Sequence, residues 1–317
     1  MSFASETKNE LSHIEVERKC CQLAEIAGFF RVASSIKPMG GGKFELLAET
    51  KNPAVARHFK KLIQDYFDIE TQLQVQENNY FDKGYNYYIV IGPDNKSELI
   101  MRETGILMVK EGYNTFSDGI SSAIVKKKCC KKAFLRGIFL GVGSVNDPES
   151  SYNIEFVCNT KVIAEDLRKL IRTFTDLNAN IAERKGKYVV YMKSFANVSD
   201  TLAIMGAHRQ VLEIENIKIQ KEMKTRATKI VNCDNANIDK SAAVSDRQID
   251  IIKAIDKDCG IDAMPLILRE IARLRLENPD ANLTQLGQML EPPIQRSAVH
   301  KRMSKIEKFA ENRGIEI

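Results

Sequence analysis

Residues 20–36, CCQLAEIAGFFRVASSI, and residues 129–145, CCKKAFLRGIFLGVGSV, are the two stretches whose reading decides the fold. Aligned without a gap they share six of seventeen residues: both cysteines, Ala24/Ala133, Gly28/Gly137, Phe30/Phe139 and Ser35/Ser144. The offset between them is 109 residues, and KLIQDYFDIETQL (61–73) parallels KLIRTFTDLNANI (169–181) at an offset of 108. Farther on, Lys83-Gly84 before YNYYIVI matches Lys185-Gly186 before KYVVYM. Similar segments in a kept order are the mark of an internal duplication, here of a unit of roughly a hundred residues.

Each copy reads in the same way. An apolar helix carries the glycine motif and is expected to run through Ser-Ser-Ile or Gly-Ser-Val. A strand follows at FELLAE (44–49) or YNIEFVC (152–158). Apolar residues at three- and four-residue spacings then predict amphipathic helices over 54–67 and 162–174. Alternating β-branched and aromatic residues predict strands at ETQLQVQ, YNYYIVI, ANIAER and KYVVYMK. Tyr80, Tyr85, Tyr87 and Tyr88 fall at strand spacing and are read as sheet-packing residues. A last helix is expected near Leu99–Val109 and Val198–Met205. The fold class is therefore α+β, two αββαββα-type units related by a pseudo-twofold, followed by an all-α carboxy-terminal domain. Ala24 and Gly28, like Ala133 and Gly137, stand one turn apart on one helix face. A glycine inside a helix costs up to about 1 kcal/mol relative to alanine. Two at matched positions point to a steric need, met if these two helices cross closely at the axis.

Bulk composition narrows the class. The chain has 317 residues, enough for about two domains. Hydrophobic residues make up 44% and charged residues 28%, as in globular proteins. Lys plus Arg is 47 against 42 Asp plus Glu, a net charge of +5 that decides little until its placement is known. No run approaches the roughly 18 apolar residues of a membrane span, and the acidic amino terminus lacks a signal-peptide core. A reduced, cytoplasmic protein is the expectation. Of the seven cysteines none is in CxxC spacing. Taken pair by pair, Cys20-Cys21 and Cys129-Cys130 suit neither zinc nor a disulfide framework, and buried thiols acting as small hydrophobes are expected, with a redox role left open. No metal or cofactor is expected. His13, His58 and His208 are assigned structural or surface roles.

Charge is placed unevenly. From Gly119 to Asn146 there is no acid, while Lys126, Lys127, Lys128, Lys131, Lys132 and Arg136 gather just before and inside the second glycine helix. A solvated linker and a phosphate-contacting patch both fit this run. Residues 214–255 lack Gly and Pro, and NCDNANIDKSAA (232–243) is expected to break the helix and mark a domain boundary. Three helices are predicted after Met264: one with Pro265 at N1, a short one capped by Thr284, and one from about Gln295 to Gly314, the last two joined by the turn EPPI. That is helix-turn-helix spacing. The third helix carries Arg296, His300, Lys301, Arg302 and Lys305 without an acid as far as Ile306, opposite a stripe of Ala298, Val299, Met303 and Ile306. In a docked recognition helix the amino-terminal residues Gln295, Arg296, Ser297, His300 and Lys301 would reach base edges, and Arg302 and Lys305 would touch phosphates.

IAGFFRVAS (26–34) and LRGIFLGVG (135–143) resemble the two copies of the LAGLIDADG motif of homing endonucleases. In that family the motif's eighth residue is an acid that holds the catalytic metal; here it is Ala33 and Val142, and the sixth residues are Arg31 and Leu140. Neither alanine nor valine offers the hard oxygen ligands that a phosphodiesterase metal needs. A degenerate LAGLIDADG pair ahead of a helix-turn-helix resembles the WhiA family of bacterial regulators. The match rests on FLRGIFLGVGSVNDPESSYNIEF (134–156), IVNCDNANIDKSA (230–242) and LREIARLRLENPDANLTQLGQMLEPPIQRSAVHKRMSKIE (268–307). The resemblance implies a noncatalytic, nucleoid-associated DNA-binding transcriptional regulator acting in cell division, chromosome segregation or sporulation. It divides the chain into repeat one (1–110), repeat two (111–210), a helical linker (211–245) and a helix-turn-helix domain (246–317). Double-stranded DNA is the expected partner, RNA polymerase or other regulators are further candidates, and a monomer is favoured because the duplication supplies its own pseudo-dimer. Two other readings stay open: a LAGLIDADG-derived scaffold for protein or RNA partners, and an active endonuclease, which would need the acids missing at residues 33 and 142.

Overall fold

The structure is a computed structural model that describes residues 2–78, 84–110 and 112–315, so Tyr80 and Lys83 lie outside the described residues. The chain divides into two compact units, residues 1–220 and 221–317. In the first unit, helix α1 (Phe3–Ser12) precedes a helix-strand-strand-helix-strand-strand-helix series: α2 (Lys19–Ala33), β1 (Ser34–Gly40), β2 (Lys43–Thr50), α3 (Pro53–Phe67), β3 (Gln72–Asn78), β4 (Gly84–Ile91) and α4 (Ser97–Glu103). A short hairpin follows, β5 (Leu107–Lys110) and β6 (Tyr113–Phe116). The series then repeats as α5 (Lys128–Val142), β7 (Gly143–Val145), β8 (Asn153–Cys158), α6 (Lys161–Arg172), β9 (Asn180–Arg184), β10 (Lys187–Lys193) and α7 (Phe195–Met205).

The two sheets have one antiparallel topology, β1-β2-β4-β3 and β7-β8-β10-β9. Local chemistry accounts for the boundaries. Asn52 caps α3 by accepting from the amides of Ala54 and Val55, with Pro53 at the position where a missing N–H costs nothing. Thr160 does the same for α6 through Ile163 N. One apolar core runs through both copies, with Phe29, Phe30, Phe134, Phe139 and Phe156 fully buried.

Two expectations change in the first unit. Ser34–Ile36 and Gly143–Val145 do not end the glycine helices; they open β1 and β7, because Ser34 and Gly143 leave the helix in extended conformation. Ser34 Oγ donates to Phe30 O at 2.6 Å and closes the last helical turn. The helix expected over 99–109 stops at Glu103, since Gly105 at φ 69° turns the chain into the β5–β6 hairpin. Helix α1 was not foreseen. Its Ser2 cap and its buried Phe3, Thr7 and Leu11 seat it on the core.

Helix α8 (His208–Cys259) runs for 52 residues without interruption, so the break expected at 232–243 is absent. The asparagines there are individually weak helix formers, but no Gly or Pro stands in the stretch to end the ladder of backbone hydrogen bonds. At its start, Glu10 accepts from the backbone N–H groups of Arg209 (2.7 Å) and Gln210 (3.1 Å), two amides that the helix cannot satisfy itself. In the second unit, Ile251, Ile252 and Ile255 of α8 share a core with α9 (Leu266–Glu277), α10 (Leu283–Gln288) and α11 (Arg296–Asn312). Pro265 is the cap of α9 and not its first residue. Asn282, not Thr284, caps α10: it accepts from the Thr284 and Gln285 amides, while the Gln285 side chain accepts from Asn282 N.

Candidate nucleic-acid interface

Helices α9, α10 and α11 pack on one another around Leu268, Ile271, Leu286, Val299, Met303 and Ile306. The connection from α10 to α11 spans Met289–Gln295, longer than the four-residue turn expected, because α10 ends at Gln288 and α11 begins only at Arg296. It is held by Ile294 N donating to Gly287 O at 2.9 Å. Gly287 is required at this approach, since a Cβ there would overlap the carbonyl oxygen of Ile294. A fully buried cation fixes the other side of the unit. Arg275 Nη1 donates to Ser245 Oγ (3.1 Å) and to the carbonyls of Pro279 (3.3 Å) and Ala281 (2.6 Å), tying α8 to the loop that leads into α10. Sequence reading missed this residue, because a buried arginine on an amphipathic helix looks like any surface one.

On α11 the buried residues are Val299, Met303, Ile306 and Ala310, whereas Ala298 is half-buried. At about 100° per residue, the direction opposite that stripe is occupied by Ser297, Lys301, Lys305 and Lys308, all exposed. Gln295 and Arg296 are exposed at the amino-terminal end. His300 is exposed and also borders a crevice of about 210 Å³ with Val244, Arg247 and Ile251 of α8. Arg302 lies on the other flank and is half-buried. Lys308 belongs to the same basic face but was passed over, because Glu307 interrupts the acid-free run. Glu307 itself is turned away and pairs with Arg247 at 2.6 Å.

The basic run of the first unit separates into two kinds of residue. Lys126, Lys127 and Lys128 are exposed at the start of α5, and Lys131 and Lys132 are half-buried. Arg136 is not available for phosphate contact: it is buried where α5 crosses α2, and Nε (3.0 Å) and Nη2 both donate to Glu25 Oε2. Nη1 donates to Met205 O at 3.1 Å, and His58 Nε2 lies 2.8 Å from Glu25 Oε1. Burial by itself would raise the Glu25 carboxyl, but the His58 hydrogen bond and the charge and hydrogen bonds of Arg136 hold it below the usual carboxylate range. The crossing is close. Ala24 and Ala133 are buried in it, a Cβ on Gly28 would overlap Phe134 O, and a Cβ on Gly137 would overlap Glu25 O.

Ala33 and Val142 end α2 and α5 and line a groove of about 1140 Å³ together with residues of α1. Among its described ionisable lining residues Glu49 is the one carboxylate, beside Lys8, Lys51, Arg57, His13 and Lys187. Burial pulls the Lys8 ammonium down to about 8. Arg31 is spent inside the fold, donating to the carbonyls of Ser117 and, at 2.8 Å, Gly105; Leu140 is fully buried. The cysteines depart from the pairwise expectation. Crossing α2 and α5 brings Cys20, Cys21, Cys129 and Cys130 together, their four Sγ atoms within 4.8 Å of one another. A separation of 109 residues hid this from any motif search.

Three family models match the chain in order: the WhiA N-terminal LAGLIDADG-like domain over 19–107, the WhiA LAGLIDADG-like domain over 131–224 and the WhiA C-terminal HTH domain over 227–310. A probable cell division protein WhiA from Alkaliphilus metalliredigens is 41% identical over 98% of both chains. This chain belongs to the WhiA family. A second WhiA relative, from Thermoanaerobacter pseudethanolicus, is 43% identical over 98% of this chain and 97% of its own. The crystal structure of full-length DUF199/WhiA from Thermatoga maritima aligns with a TM-score of 0.62 and 23% identity, covering 98% of this chain and 99% of that one. The WhiA fold, two LAGLIDADG-like copies followed by a helix-turn-helix domain, is thus the fold of this chain. Among the described residues no helix is long and apolar enough to cross a membrane.

Proposed function

We propose that this WhiA-family protein is a noncatalytic, sequence-specific DNA-binding regulator of transcription that serves cell division, chromosome segregation or sporulation. The observation that carries the reading is the face of α11, where Ser297, Lys301, Lys305 and Lys308 stand exposed opposite the stripe that anchors the helix. An amino-terminal segment with Gln295, Arg296, Ser297, His300 and Lys301 has the donors and acceptors to read base edges in a major groove. Arg302, Lys305 and the newly assigned Lys308 supply phosphate contacts. Lys126, Lys127, Lys128, Lys131 and Lys132 add a second basic patch in the LAGLIDADG-like unit, without Arg136.

Strand cleavage is not part of the proposal. Ala33 and Val142 stand at the ends of α2 and α5, where the endonuclease motif has its acids, and among the described residues lining the groove Glu49 is the one acid, beside Lys8, Lys51, Arg57 and Lys187. A divalent cation would find one carboxylate and several competing ammonium or guanidinium groups. RNA polymerase and other regulators remain the proposed protein partners, and a monomer on DNA is the proposed state. The test is duplex binding by the full-length protein over a salt series with magnesium present. The reading expects binding that weakens steeply with salt and recovery of every duplex intact. Salt-independent binding, or cut DNA, would overturn it.

A further inference from the structure

The cysteine cluster at the crossing of α2 and α5 has the make-up of a metal centre. Cys20 and Cys21 are in the first turn of α2, and Cys129 and Cys130 are in the first turn of α5, so each pseudo-symmetric helix contributes an equivalent pair. Cys21 and Cys130 are buried, and Cys20 and Cys129 half-buried. All four sulfurs lie within 4.8 Å of one another, with Cys129 Sγ and Cys130 Sγ 4.0 Å apart. Tetrahedral zinc at a Zn–S distance of about 2.3 Å needs sulfurs roughly 3.8 Å apart. The cluster therefore has to contract by at most about 1 Å, a matter of small side-chain rotations.

The surroundings are electropositive. The positive ends of both helices meet the cluster, and neither first turn contains an acid. Arg18 and Lys127 are the cap residues, with Lys19 and Lys128 next to them. Those cations would offset the net double negative charge of a zinc tetrathiolate. A groove of about 500 Å³ lined by Arg18, Cys21, Cys129 and Lys132 gives the ion a route in.

From this geometry we infer that Cys20, Cys21, Cys129 and Cys130 bind one zinc ion per chain and that the ion staples the two LAGLIDADG-like copies at their axial helices. The site is closed, with four protein ligands and no position for water, so its role is structural. Binding converts four thiols into four zinc–thiolate bonds and releases the four protons to solvent, with no change of oxidation state. Because zinc takes the deprotonated thiol, metal capture weakens as the solution is acidified. The inference also gives the basic run a partner independent of DNA, since Lys127 and Lys128 stand at the cluster.

The test uses the full-length protein, reduced and stripped of metal, titrated with Co²⁺ and then Zn²⁺. Expected are thiolate-to-cobalt charge-transfer and tetrahedral ligand-field bands that saturate at one equivalent and are bleached by one equivalent of zinc. The double variant C21S/C130S should lose the bands, and C233S, whose exposed thiol is elsewhere in the chain, should keep them. Should the double variant fail to fold, the titration of the unaltered protein still decides. Absence of charge-transfer bands with all thiols reduced would overturn the inference. So would a Cys21–Cys129 or Cys20–Cys130 disulfide, found by peptide mapping, in metal-free protein isolated under mild conditions.

Discussion

A single methyl group separates the two glycines of the helix pair from any alternative. At Gly28 and Gly137 the added Cβ would meet backbone carbonyl oxygens of the opposing helix, which cannot rotate away as a side chain would. G28A or G137A should therefore lose roughly 2–3 kcal/mol in urea unfolding, the scale of overpacking a tight core. G92A is the control. Its backbone is ordinary at φ −78°, nothing stands within 4 Å, and a change within about 0.5 kcal/mol is expected. The buried Glu25 has a different signature. Its folded carboxyl is held below the usual range, so its contribution is complete above the unfolded value of about 4.3 and drains away as pH falls through the lower folded value. E25Q should cost about 3 kcal/mol at neutral pH by leaving Arg136 without its counter-charge, and its unfolding free energy should fall less steeply between pH 5 and 3 than that of the unaltered protein. An equally steep acid limb in E25Q would show that other groups control it.

At the scale of an element, α11 makes a prediction that a generic basic helix does not. K305A, at a proposed phosphate contact, should weaken binding to all duplexes alike and lower the slope of log affinity against log salt by about one. K301A, at a proposed base contact, should instead flatten the preference for the cognate sequence by about 1–3 kcal/mol; this is measured by competition with a scrambled duplex. Element by element, the sequence was most legible where periodicity is strong, as in α3 and α6, which begin at the caps Asn52 and Thr160. It was least legible where the signal is the absence of a stop. Helix α8 crosses the Asn-rich stretch because nothing there forbids it, and α1 is short enough that its periodicity carries little weight. Arg136 and Arg275 look like surface charges in the sequence. Their partners, Glu25 and the carbonyls of Pro279 and Ala281, are revealed only by tertiary structure.

For the whole molecule, the duplication was the most informative feature, because position-matched glycines, cysteines and strands specify an architecture that neither copy specifies alone. It also concealed something. Ligands split evenly between two copies never form a local motif, and the four cysteines became a cluster only when α2 met α5. The net charge of +5 is too small to point to a DNA surface, and the proposed one on α11 takes shape only once its apolar stripe is fixed in the helix-turn-helix core. The central claim is that this face carries recognition. It is tested most directly by comparing the unaltered full-length protein with R296A/K301A on the same duplex at fixed salt, with circular dichroism to confirm an unchanged fold. The account predicts at least a tenfold loss of affinity with helicity preserved, from two base-edge contacts each worth about 1–3 kcal/mol. Equal affinity in the two proteins would contradict it.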